Sequence, residues 1–113
     1  MPNTTPTEPV HVDDEALVDL IERSEVPVLV DFYADWCAPC RFMAPVLDRF
    51  ARENAGKVVV AKVDTEASPD QAMRLGIRGI PTLVLFVAGR EVDRQVGAAP
   101  AEYLENMLAT AGQ

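Results

Sequence analysis

The chain has 113 residues, enough for one domain with a real core and too few for two. Its 49% hydrophobic and 25% charged residues are the proportions of an ordinary soluble globular protein. A formal net charge of −8 without any basic cluster excludes nucleic acid and anionic membrane surfaces as partners, because phosphate recognition concentrates Lys and Arg.

Residues 1–9 are rich in Pro and Thr and read as a flexible tail, leaving 10–113 as a single domain. The tail has neither the basic region nor the apolar stretch of a secretory signal. No apolar run approaches the roughly 20 residues of a membrane helix, so a cytoplasmic protein is expected. Val10 to Val12 predicts a short strand, and Asp13 a cap for a helix burying Ala16, Leu17, Leu20 and Ile21. Val26 to Tyr33 is almost unbroken apolar sequence, which suits a central strand covered on both faces. From Cys37 the pattern turns helical, with Pro39, Met43, Val46, Leu47 and Phe50 on one stripe. Pro39 fits a first turn, whereas Pro45 opposes the Arg41 carbonyl and is expected to kink the helix.

Lys57 to Asp64 predicts a second buried strand, and Ser68-Pro69 opens a short helix through Met73 and Leu75. After a loop from Gly76 to Pro81, the segments Thr82–Val87 and Glu91–Val96 read as antiparallel strands joined by a tight turn. Pro100 starts a last helix with Tyr103, Leu104, Met107 and Leu108 inward. The order βαβαβαββα predicts an α/β domain: a mixed sheet of about five strands with about four helices on its two faces.

Both cysteines of the chain, Cys37 and Cys40, lie at one strand-to-helix junction. In a reducing compartment a lone Cys-x-x-Cys is catalytic or metal-binding more often than a structural staple. Structural zinc takes four protein ligands, and the only other candidate here is the distant His11, so reversible dithiol–disulfide exchange is the better reading. Helix residues three apart have Cα atoms about 5 Å apart, inside the window for a disulfide. Cys37, at the helix end, faces free amide N–H groups that favour its thiolate, while Cys40 should be more shielded. The outer sulfur then attacks a substrate disulfide and the inner one resolves the mixed disulfide.

Two charges interrupt the apolar strands. Asp31 is short and lies six residues before Cys37, which predicts a buried carboxylate with a raised pKa that exchanges a proton with Cys40. Lys62 either joins it or reaches solvent along its own stem. Trp36 is expected to form an apolar platform beside an exposed Cys37. His11 reads as a surface residue on a peripheral strand, and Met43, Met73 and Met107 as core packing.

Beyond these residue-level readings, the chain closely resembles the thioredoxin family. The likeness begins at Trp36-Cys37-Ala38-Pro39-Cys40 and extends through VLVDFYADWCAPCRFMAPVL, VVVAKVDTE, GIRGIPTLVLF and the Gly97 region, in the family's order. It implies Cys37 as nucleophile, Cys40 as resolving cysteine, Asp31 as buried acid/base and Lys62 as its neighbour. It further implies a cis Ile80–Pro81 bond abutting the dithiol. Trp36, Ala38, Pro39, Gly79, Ile80, Pro81 and Gly97 would form the surface on which an extended substrate docks by β-augmentation. The implied activity is reduction of protein disulfides by a monomer that binds no cofactor or metal. Thioredoxin reductase, an NADPH-dependent flavoprotein, would supply electrons, and disulfide-containing proteins would be the clients.

Two positions depart from the family pattern: Ala38 replaces a glycine and Tyr33 a common tryptophan. Ala stabilises a helix over Gly by about 1 kcal/mol. Expressed fully in the redox equilibrium, that is only about 20 mV, too little to turn a reductant into a strong oxidant. Pro39 also favours a reductant, since oxidases and isomerases of this fold commonly carry His there. Service to one dedicated acceptor stays open as a narrower version of the same chemistry.

Overall fold

The computed structural model describes residues 5–112; residues 1–4 of the expected tail lie outside that range. Its elements are β1 (Val10–His11), α1 (Asp14–Arg23), β2 (Val28–Tyr33), α2 (Ala38–Glu53), β3 (Val59–Asp64), α3 (Asp70–Arg74), β4 (Thr82–Val87), β5 (Arg90–Val96) and α4 (Ala101–Ala111). The five strands form one mixed sheet in the order β1-β3-β2-β4-β5. Strands β1, β3 and β2 are parallel, while β4 runs antiparallel to both β2 and β5. This is the expected α/β architecture and element order.

Strand β2 occupies the middle of the sheet, and its apolar residues serve both faces. Val28, Val30 and Phe32 pack with Leu17 and Ile21 of α1 and Ala72 of α3. Leu29, on the opposite face, packs with Met43, Leu47 and Phe50 of α2 and Leu104 and Met107 of α4. By the two-residue pleat, Asp31 and Tyr33 share the α2 face with Leu29. Lys62 shares that face with Val60 of the same core. The register pairs Asp31 with Lys62 and Lys62 with His11, laying three polar residues in a row across an otherwise apolar sheet.

The helix starts follow local chemistry. Asp13 caps α1 by accepting the Ala16 N–H at 2.8 Å. Helix α2 begins at Ala38, with Cys37 as its N-cap, and its helical span continues unbroken through Pro45. Helix α3 has no side-chain cap of its own. The Asp14 carboxylate of α1 accepts the Asp70 and Gln71 N–H groups instead, at 3.1 and 2.8 Å, so one helix caps another.

Three expected core residues are outside it. Ala16 is exposed, because Leu17 and Ile21 take the inward face of α1. Met73 is 75% exposed, because α3 is only five residues long and Ala72 takes its inward side. Tyr103 is also exposed, leaving Leu104 and Met107 as the buried residues of α4. The β4–β5 turn is tighter than expected: Ala88 and Gly89 form it alone, both at positive φ, 52° and 81°. Alanine is disfavoured there by its Cβ. Ala88→Gly is therefore expected to stabilise the fold by about 0.5 kcal/mol, the strain relief exceeding the added unfolded-state entropy. Urea unfolding measures it; a destabilised variant would contradict the assignment of strain.

Candidate active site

The dithiol stands where the central strand ends and α2 begins. Cys37 and Cys40 form a disulfide with Cα atoms 5.2 Å apart. Cys37 Sγ accepts the Cys40 backbone N–H at 3.3 Å, satisfying one of the free amides of the first turn. Pro39 sits in that turn, where it displaces no helical hydrogen bond. Arg41 closes the entering loop by donating from Nη1 to the Asp35 carbonyl at 2.8 Å.

The expected difference in exposure between the cysteines is absent in the disulfide: Cys37 is 4% and Cys40 3% exposed. Ala34 is buried with the two cysteines, and Tyr33 and Ile80 pack against this cluster. The two sides differ in surroundings rather than area. Cys37 Sγ lies 3.7 Å from the Ile80 carbonyl oxygen. Cys40 lines an inner cleft of about 180 Å³ shared with His11, Tyr33, Arg41 and Lys62.

The outer side is backbone-rich. The Ile80–Pro81 bond is cis, matching the expectation from the resemblance. No backbone hydrogen bond from a described residue reaches the Ile80 carbonyl. Thr82 Oγ1 donates to the Gly79 carbonyl at 2.5 Å, and Gly97 N–H to the Pro81 carbonyl at 2.7 Å. The second bond brings the end of β5 against the proline, with Gly97 at φ 94°, a conformation few other residues adopt. Trp36 is 67% exposed beside the dithiol. Its indole N–H donates to Glu66 Oε1 at 2.5 Å, which fixes the ring as one wall of a groove reaching Met73, Ile77 and Ile80.

The inner side holds a buried charge and its neighbour. Asp31 is fully buried, and both its carboxylate oxygens lack a hydrogen-bond partner among the described residues. Burial pushes its pKa up to about 6, against the opposing pull of Lys62. Lys62 Nζ stands 4.0 Å from Asp31 Oδ2. It also lies 4.8 Å from the centroid of the Tyr33 ring, so Lys62 is largely buried rather than extended to solvent.

Thus Cys37 meets the Ile80 carbonyl on one side, with Pro81 joined to Ile80 by the cis bond and Trp36 next to Cys37 in the chain. On the other, Cys40 lines a cleft with Lys62, the neighbour of buried Asp31. Gly79 and Gly97 offer only backbone. Glu66, Thr82 and the Tyr33–His11 contact escaped the sequence reading. No local pattern marks Glu66 or His11, since each meets its partner only across the fold.

A mixed-sheet α/β domain with a dithiol at a helix start beside a cis proline defines a thiol–disulfide exchange protein. Comparison with known proteins specifies it. The thioredoxin family model matches residues 8–110. Thioredoxin 1 of Nostoc sp. is 47% identical over 97 residues, covering 86% of this chain and 91% of its own. Thioredoxin of Alicyclobacillus acidocaldarius is 51% identical over 87 residues, covering 77% and 83%. The solved structure of a mutant thioredoxin from Halobacterium salinarum superposes with a TM-score of 0.88 at 35% identity, covering 96% of this chain and 95% of that one. The chain belongs to the thioredoxin family. It is a thiol–disulfide oxidoreductase that reduces protein disulfides through a mixed-disulfide intermediate.

Proposed function

We propose the following division of labour. The Cys37 thiolate attacks a client disulfide, forming the Cys37–client bond and releasing one client sulfur as a thiolate that takes up a proton. Cys40 then gives its proton to Asp31 and attacks Cys37 Sγ. The Cys37–Cys40 disulfide forms, and the second client sulfur leaves and is protonated. Two electrons pass from the dithiol to the client. The position of Cys37 carries this reading: it caps α2, accepts an N–H at its sulfur and touches the Ile80 carbonyl. An amide donor and the helix's positive end both favour a thiolate.

Asp31 suits the role of proton acceptor because a carboxyl near 6 exchanges protons readily around neutral pH. Lys62 limits how far burial raises it. The cleft between Lys62 and Cys40, at about 180 Å³, has room for a few waters to relay the proton. The Ile80 carbonyl, with Gly79, Pro81 and Gly97 around it, offers an extended client segment a strand-like edge, and Trp36, Ala38 and Pro39 border it. The oxidised protein is returned to the dithiol by an NADPH-dependent flavoprotein, thioredoxin reductase, which holds the cofactor.

The domain of residues 10–113 works as a cytoplasmic monomer, its net charge of −8 opposing self-association. Among the described residues no helix is long and apolar enough to cross a membrane. A coupled assay tests the whole: NADPH, a flavoprotein reductase and an unfolded disulfide-bonded protein should give turnover that depends on this chain. Trp36→Ala is expected to raise KM for the protein substrate about ten-fold while sparing a small aliphatic disulfide, as removal of a docking platform would. Equal loss on both substrates would overturn the platform role.

A further inference from the structure

Two side chains beside the buried carboxylate exchange neither sulfur nor protons with a client, yet they are tied to the residue that neighbours it. His11 and Tyr33 stand on the α2 face with Lys62. Tyr33 Oη lies 3.3 Å from His11 Nδ1, and the two rings meet edge-on at 6.2 Å between centroids. The bond persists whichever way the imidazole is charged: the phenol donates to a neutral Nδ1, and an imidazolium Nδ1–H donates to the phenol oxygen. Burial, then Asp64, Asp35 and Asp31, hold the proton on the Tyr33 phenol.

The anchored ring carries the Lys62 ammonium, 4.8 Å from its centroid, within the range of a cation–π contact. A lysine head on a four-carbon stem is otherwise free to swing. Here it is held between an aromatic face and the Asp31 carboxylate 4.0 Å away. Coulomb attraction falls by about a third when such a separation grows by about 2 Å, so small displacements of Nζ matter. The other charged groups facing this cluster are Asp64 on β3, Asp35 in the loop and Arg41 on α2. Glu8, Asp48 and Arg52 line the adjoining cleft that also reaches His11 and Lys62.

We propose that Tyr33, anchored by His11, is a positioning residue: it sets the Lys62–Asp31 separation and thereby the pH dependence of Cys40 deprotonation during resolution of the mixed disulfide. This rests on Asp31 acting as the proton acceptor. The Tyr33 hydroxyl is the element that a tryptophan at this position would lack.

The test follows resolution of a preformed Cys37 mixed disulfide against pH, together with carbon NMR titration of the Asp31 carboxyl in the reduced protein. Tyr33→Leu should move both midpoints up by at least about half a pH unit, because the ammonium is released from the carboxylate. Tyr33→Trp, which restores an aromatic face, should bring them back towards the parent. In a Lys62→Met background Tyr33→Leu should add nothing, since the group it positions is gone. Parent-like midpoints in Tyr33→Leu, or an additive shift in the double variant, would overturn the proposal. If Tyr33→Leu does not fold, His11→Ala replaces it: an upward shift supports the anchor and an unchanged midpoint refutes it. Asp31→Asn separates the two ideas. An unaltered kinetic profile in that variant removes Asp31 from proton transfer, while the NMR titrations of the other variants still report whether Tyr33 positions Lys62.

Discussion

Cys37→Ser is expected to reduce disulfide turnover at least about a thousand-fold, whereas Cys40→Ser should form the mixed disulfide and stop there. A serine hydroxyl is not ionised near neutral pH and cannot replace the thiolate, so loss of Cys37 removes the first bond-forming step altogether. Cys40→Ser leaves that step intact. The Cys37 sulfur still caps the first turn of α2 and still lies against the Ile80 carbonyl, where a client strand would run. The variant should therefore accumulate a covalent client adduct, visible as a reducible mass increase on a non-reducing gel. The reverse pattern, with adducts on Cys40 in Cys37→Ser, would exchange the two roles.

Asp31→Asn is expected to have opposite effects on stability and on rate. The native carboxyl has its pKa raised from 3.8 to about 6 by burial, despite the opposing Lys62. The folded state thus holds this proton more tightly than the unfolded chain. Asp31 contributes no pH dependence below about pH 3, where both states are protonated. Stability falls as pH rises from about 4 to about 6 and stays lowered above, by about 3 kcal/mol for a two-unit shift. Asparagine removes that charge but leaves a buried amide, so the net gain at pH 8 should be about 2 kcal/mol. Urea unfolding at pH 4 and pH 8 should show the gain only at the higher value. A gain of equal size at both would show that packing, not charge, causes it. Resolution of the mixed disulfide should meanwhile slow by about a hundred-fold at pH 7 and lose its inflection near pH 6, in the range typical of a lost proton acceptor.

Much of this site was legible because its chemistry is local in sequence. The Cys37–Cys40 spacing dictates disulfide reach once the segment is helical, and the observed 5.2 Å Cα separation follows from helix geometry. An aspartate inside VLVDFY predicts a buried carboxylate, since a strand covered on both faces leaves a short side chain no route to water. Asp31 is indeed fully buried. Met73 failed for the complementary reason. Its helix is too short for periodicity to say which side faces in, and α3 is placed by the Asp14 carboxylate of a different helix. The equal burial of the two cysteines was equally hidden, because Ile80 reaches Cys37 from a loop 43 residues away along the chain.

Periodicity and composition alone determined the α/β class, the order of elements and the identity of the redox pair, because these depend on residues within one or two turns of each other. Only the tertiary structure decided what each reactive group faces. It set the Ile80 carbonyl against Cys37, Glu66 under Trp36, and Lys62 between Asp31 and a Tyr33 ring held by His11. Those contacts join strands and loops distant along the chain. Their energies depend on separations of a few ångströms, which sheet register and packing establish and which no local run of residues encodes.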